Sequence, residues 1–408
     1  MTPDARRAIE DAARVSQRRL IAFLSSRCRD LSRCEDALGD AFHEAVEQWP
    51  QTGVPASPEG WLLTVARRRL IDRTRRAGTE HAAEAELLAA WEAAAAASAT
   101  AELPDERIKL LFVCAHPAIA PEMHTPLMLQ VVLGLDAARI ASAFLLEPKT
   151  MGQRLVRTKV KIRDAGIPFE VPGADALPER LEAVLSAIYA AYGAGREVVD
   201  ADDRRSDLRA EALTLARLCA ALLPAETEAW GLLSLLLYCE AREPARRDAS
   251  GRYVRLSEQD TSLWSEPHLR EAEAALGEAS RLGGFRRYSF EAAIQSVHAQ
   301  RRLTGVTDWA ALALLHSALM RVAPTIGAAV AQAGAVLEAH GGVAALPFLE
   351  ALEATDVVSY QPYWAVRANV LERLERTAEA RVAYERAIGL SSEAAVRAHL
   401  AERLARLR

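Results

Sequence analysis

KTMGQRLVRTKVKIR, residues 149–163, holds six basic residues and no acid. The stretch before it, LDAARIASAFLLEP (135–148), reads as a short helix and a tight turn. Residues 136–145 supply a supporting helix with Ile140 and Phe144 as core, and Leu146, Glu147 and Pro148 make the turn. Met151, Leu155 and Ile162 then point inward at helical spacings of four and seven. That leaves Lys149, Thr150, Gln153, Arg154 and Arg157 on the outer face near the helix start, where a recognition helix reads base edges. Arg157, Lys159, Lys161 and Arg163 suit phosphates, which position a protein without specifying sequence. The pattern predicts a DNA-binding helix-turn-helix; the alternative is a solvated basic face on a bundle helix.

Charge makes this strip a local feature. The chain has 408 residues and a net charge of −5, so it is not uniformly coated for nucleic acid. Its length implies two or three domains. Half of it is apolar, and aromatic residues make up only 6%. Alanine, leucine, glutamate and arginine dominate, which predicts an all-α fold.

Upstream, helical periodicity covers residues 18–29 and 35–49, the latter with Ala37, Leu38, Ala41, Phe42, Val46 and Trp49 on one stripe. Ser57 reads as the N-cap of a helix that runs through WLLTVARRRLIDRTRR to Arg76. This helix carries Arg67, Arg68, Arg69, Arg73, Arg75 and Arg76 against the single acid Asp72. It opens on Trp61, either a stacking platform for strand-separated DNA or a core residue. The helix before it has a mixed face of Glu35, Asp36, Asp40, Glu44 and Glu47, either a protein-docking face or a solvated one. Residues 1–77 thus form a first unit and 105–170 a second of about four helices, stopped by Gly166 and Pro168. The alanine- and glutamate-rich residues 78–104 read as a linker.

From residue 177 to 408 helix follows helix. A repeat of roughly 34 residues fits the tetratricopeptide pattern best in the last copy, at Trp364, Ala368, Leu371, Ala380, Tyr384 and Ala387. Weaker copies place Ala212, Ala216, Cys219 and Pro224 before Trp230, Leu233, Ser234 and Leu237, and Leu319 and Pro324 before Gly334 and Leu337. Residues 240–264 break the period and read as a long loop of the kind that often carries function.

Enzyme chemistry has no foothold in these residues. The chain lacks a phosphate-cradling glycine loop, GxSxG and HExxH. Five scattered cysteines, Cys28, Cys34, Cys114, Cys219 and Cys239, lack metal-ligand spacing, which predicts inert thiols, no metal and no cofactor. Asp200, Asp202 and Asp203 read as a helix start. The charged N-terminal residues and the lack of a long apolar run lead to the expectation of a soluble, cytoplasmic protein with no membrane partner.

The order of these parts resembles an extracytoplasmic-function sigma factor. EDALGDAFHEAVEQWP (35–50) is similar to the helix of sigma region 2 that grips the clamp of RNA polymerase, and GWLLTVARRRLIDRTRR (60–76) to the helix that melts and reads the −10 promoter element. The second unit resembles region 4, which reads the −35 element. VRTKVKIRDAGIPFEVP (156–172), ERLEAVLSAIYAAYGAG (179–195) and the 240–264 loop resemble the subgroup with a large tetratricopeptide-like extension, which governs sigma activity there. The resemblance covers essentially the whole chain. It implies that Asp36, Asp40, Phe42, Glu44 and Glu47 face core RNA polymerase. By the same resemblance, Trp61 and the arginines after it face the −10 element, and Lys149, Thr150, Gln153, Arg154, Arg157 and Lys161 the −35 element. The expected partners are core RNA polymerase and promoter DNA, and the extension either folds back on the sigma domains or recruits another protein. Gly39 stands where the family often has glutamine, and Arg68 where asparagine is frequent. These departures leave open one polar polymerase contact and whether Arg68 meets a base or a phosphate. The rival expectation is a helix-turn-helix regulator with a ligand- or protein-sensing helical domain.

Overall fold

The computed structural model describes residues 3–76, 105–144, 146–194, 203–248, 252, 254–352, 357–391 and 394–407. The predicted linker therefore lies outside the described residues, as do Asp200 and Asp202. The elements are helical, and the chain divides into two compact units, 1–218 and 219–408. Among the described residues no helix is long and apolar enough to cross a membrane.

Unit 1 begins with α1 (Pro3–Asp11), which passes through a π-helical turn into α2 (Gln17–Cys28). α3 (Leu31–Thr52) and α4 (Pro58–Arg76) follow. Asp30 caps α3 by accepting from the Arg33 N–H at 3.1 Å. The Ser57 hydroxyl accepts from the Gly60 N–H at 3.3 Å and starts α4. Leu20, Phe23, Leu24, Leu38, Trp49, Leu62 and Leu70 build one core across the three helices. Phe42 packs against it half-buried, whereas Val46, expected on the same stripe, is 46% exposed. The apolar stripe of α3 is narrower than the sequence suggested.

The second half of unit 1 comprises α5 (Arg107–Cys114), α6 (Pro121–Val131), α7 (Ala137–Ala143) and α8 (Pro148–Asp164). Ile140, Met151, Leu155 and Ile162 are buried as the helix-turn-helix pattern requires. Phe144 is a correction: it sits past the end of α7 and is 38% exposed. α9 (Leu177–Ala194) packs on α5 and α6, and its buried Arg180 donates to the Phe112 carbonyl. Glu211 of α10 (Asp203–Leu222) pairs with the buried Arg107. A hydrogen bond with Cys34 draws the thiol of the partly buried Cys28 below its ordinary value.

Unit 2 contains α11 (Thr227–Ala241), α12 (Glu266–Leu282), α13 (Arg287–Thr304), α14 (Trp309–Val322), α15 (Ile326–His340), α16 (Gly342–Glu350), α17 (Gln361–Arg373), α18 (Thr377–Leu390) and α19 (Ala394–Arg406). The repeat positions Ala368, Leu371, Ala380, Tyr384 and Ala387 form the core between α17 and α18. Two tryptophans make the same contact: Trp230 Nε1 donates to the Pro224 carbonyl and Trp364 Nε1 to that of Val358, each at 3.1 Å and each six residues back. Glu228 ties α11 to the start of α13 by accepting from the N–H groups of Arg286, Tyr288 and Ser289 at 3.2, 2.8 and 3.1 Å. There the helices touch so closely that a Cβ on Gly231 would stand 2.6 Å from the Ser289 nitrogen.

Two stability predictions follow from unit 2. Gly231→Ala, which forces two helix backbones apart, is expected to cost about 1–3 kcal/mol in urea denaturation. Burial lowers both His298 and His316 to a pKa of about 4. The unfolded chain therefore binds more protons below the ordinary histidine value near 6.5. The stability these neutral imidazoles contribute is complete above about pH 6.5 and is lost as pH falls toward about 4, by on the order of 3 kcal/mol per group at most. Denaturation midpoints of wild type and His316→Gln across this window check it, with the variant showing the shallower pH dependence.

Candidate nucleic-acid interface

α8 is the centre of the candidate interface. Pro148 occupies its first turn, where the missing N–H costs nothing, and Gly166 ends it in the left-handed region (φ 59°). Met151, Leu155, Thr158, Lys159 and Ile162 are buried. Lys149, Gln153, Arg154, Arg157 and Lys161 are exposed, and Thr150 is half-buried. Arg157 bends back so that its Nε donates to the Gln153 carbonyl at 3.3 Å. Val156 stands on this face 59% exposed. Sequence pattern alone does not single it out, although an apolar residue between Gln153 and Arg157 is suited to a thymine methyl.

Lys159 has a different setting from its basic neighbours. It is only 9% exposed, and its Nζ lies 2.8 Å from each carboxylate oxygen of Glu35 on α3. Arg163 approaches Asp30, the α3 cap, at 4.0 Å. Thus the C-terminal half of α8 sits against the N-terminal end of α3, bringing the two basic helices into one unit. The pair joins residues 124 apart, so no local spacing signals it. Its only sequence trace is that Lys159 falls among core positions of its helix.

α4 presents the second basic face. Arg68 and Arg69 are exposed, while Arg67 and Arg73 are half-buried. Arg69 pairs with Glu44 at 2.9 Å, and Arg73 pairs with Asp40 at 2.6 Å and Asp36 at 3.7 Å. Arg75 and Arg76 lie on the last turn of α4, but their side chains are outside the described set. The structure therefore brings together residues that the sequence assigned to separate partners: the α3 carboxylates lie against the α4 guanidinium groups. Glu47 is exposed, and Gly39 faces open space, with no atom within 4 Å of where a Cβ would stand. Trp61 is half-buried and stacks edge-on against the buried Trp49, ring centres 5.5 Å apart. It serves the core with one edge and leaves the rest of the ring at the surface. Among the described residues no cluster of histidine, cysteine and carboxylate side chains is able to hold a metal ion.

Residues 13–80 match sigma-70 region 2, and residues 180–280 match a family of unknown function (DUF6596). An uncharacterized protein of Rhizobium meliloti (strain 1021), R00370, is 38% identical over 378 residues, spanning 91% of this chain and 89% of that protein. No solved structure matches.

The Lys159–Glu35 contact is testable as a coupling. Lys159→Met leaves the Glu35 carboxylate partly buried without its cation and is expected to cost about 1–3 kcal/mol. Pairing it with Glu35→Gln should recover part of that loss, a coupling of roughly 1–2 kcal/mol in a double-mutant cycle by urea denaturation. Additive losses would show that the pair contributes nothing.

Proposed function

Because the chain belongs to the same family as the Rhizobium meliloti protein and carries a sigma-70 region 2 domain, we propose that it is an extracytoplasmic-function sigma factor whose C-terminal helices control its activity. The region 2 match supports a role in transcription initiation through core RNA polymerase and promoter DNA. The observation that carries the finer reading is the exposed row on α8: Lys149, Gln153, Arg154, Arg157 and Lys161 stand clear of a helix-turn-helix core. In this reading α8 is the region 4 recognition helix at the −35 element. Arg154 and Gln153 meet base edges, while Arg157 and Lys161 meet phosphates. α4 engages the −10 element through Trp61 and its arginines, and α3 docks on polymerase.

The ion pairs give this proposal a sequence of events. Promoter elements at −35 and −10 are about 25 base pairs apart, roughly two and a half turns of about 34 Å each. α3 and α8 are joined at 2.8 Å through Lys159 and Glu35. A protein reading both elements together must part these helices. The α3 acids that polymerase would cover are the same ones that hold Arg69 and Arg73. Docking α3 on polymerase then exchanges carboxylate partners and releases guanidinium groups for DNA phosphates, at little net electrostatic cost. The free chain is in this way a latched form, and polymerase supplies the contacts that open it.

The decisive experiment mixes purified chain, purified core polymerase and promoter fragments. The proposal expects co-purification with the core enzyme and promoter-dependent transcripts. A footprint on DNA without polymerase, and no transcripts with it, would instead identify an ordinary helix-turn-helix regulator. Within the active complex, Arg154→Ala is expected to weaken promoter binding by about 1–3 kcal/mol, and an unchanged holoenzyme footprint would remove Arg154 from the reading set. A chain ending after α10 keeps the helices that pack on unit 1. It is expected to transcribe at a rate different from the full chain, and equal rates would make unit 2 dispensable for control.

A further inference from the structure

Unit 2 holds a cavity of about 560 Å³ lined by α13, α14, α15, α17 and α19 and by the long loop before α12. Its size lies in the range that accommodates a small organic molecule. Much of the wall is apolar, with Leu312, Val366 and Leu400 among its side chains and the Trp309 ring beside them. α15 faces it with Ala331, Gly334 and Ala335, which keep the space open.

Its charges do not balance. Arg255, Arg301 and Arg403 line the cavity, against one carboxylate, Glu338. Glu338 is engaged with Arg373 at 2.9 Å. Arg403 has a counter-charge in Glu372 at 2.5 Å. Arg301 is held by neutral groups: it donates to the carbonyls of Ser257 and Gln259 and lies 5.5 Å from the Trp264 ring centre. Arg255 reaches Glu258 only at 3.9 Å, across a surface turn. His316 Nδ1 is buried on the same wall without a hydrogen-bond partner. A guanidinium beside apolar surface is a strong site for a planar anion, because a carboxylate accepts two parallel N–H bonds from it. A buried imidazole nitrogen without a partner is a further place for a ligand oxygen.

We propose that this cavity is a binding site for a small organic carboxylate, with its acid group at Arg255 and Arg301 and its apolar body against Leu312, Val366 and Leu400. Arg301 holds the backbone of residues 257–259 beside the cavity through the Ser257 and Gln259 carbonyls, and Arg255 lines the cavity from the same segment. Occupancy therefore bridges the loop and the helical body of unit 2. This inference concerns unit 2 alone and is read without polymerase or DNA, so it stands or fails separately from the sigma-factor proposal.

The test is calorimetric titration of the full chain with 4-phenylbutyrate, octanoate and indole-3-acetate, with 4-phenylbutyramide and inorganic phosphate as controls. At least one of the three carboxylates is expected to bind saturably with one site per chain. The amide and inorganic phosphate should bind about tenfold more weakly or worse, since each lacks one half of the recognition. Arg255→Gln should weaken the carboxylate by a similar factor. Gly334→Leu supplies the second variant: a Cβ there meets nothing within 4 Å, and the rest of the side chain is directed at the cavity that Gly334 lines. It should abolish binding while the chain unfolds at the wild-type midpoint. Equal binding of amide and acid, phosphate binding as tight as the carboxylates, binding that survives both variants, or no saturable binding by any of the three acids would each overturn the proposal.

Discussion

One lysine on α8 is buried against a glutamate of α3, and this pair joins the two halves of unit 1 beside the packing of α2 on α5. Lys159 lies on the inner side of α8, so α8 has a basic outer row and an inner face whose apolar residues surround one buried cation. A buried ammonium is costly without a partner. Glu35 supplies one, with both carboxylate oxygens at 2.8 Å, and the pair thereby fixes which part of α3 meets α8. Buried ion pairs contribute specificity of arrangement more dependably than stability. In the proposed function this contact holds in the free chain and releases when the helices engage polymerase and DNA.

The same economy appears between α3 and α4. Asp36, Asp40 and Glu44 neutralise Arg73 and Arg69. These pairs are exposed enough to be weak individually, of order a few tenths of a kcal/mol to about 1 kcal/mol. Weak pairs exchange partners readily. The acidic α3 thus pairs with part of the basic face of α4 and leaves Arg68 exposed.

Much of this was legible in the sequence. The all-α class followed from composition and periodicity, and the helix-turn-helix core followed from Met151, Leu155 and Ile162, all buried. Ser57 and Gly166 marked helix ends through local backbone chemistry that needs no tertiary context. What the sequence hid was long-range. Phe144 has the right spacing for the core, but α7 ends at Ala143 and the ring turns outward. Lys159 reads as one more phosphate contact, because nothing within a helical turn reveals a partner 124 residues away. The packing of α9 and α10 with the upstream helices was hidden for the same reason, since their apolar patterns continue those of the helices that follow. The repeat register was clearest at α17 and α18, where Ala368, Leu371, Ala380, Tyr384 and Ala387 share one core.

In the proposed function, an arrangement joined through Lys159 and Glu35 opens when both basic helices engage a promoter. The direct measurement is the distance between spin labels placed by non-cysteine chemistry at exposed Gln48 on α3 and exposed Asp164 at the end of α8, read by pulsed dipolar spectroscopy. The free chain should give a single short distance. The complex with core polymerase and promoter DNA should give one longer by tens of ångströms, roughly the span of two turns of duplex. The same short distance in a complex that is making transcripts would contradict the account.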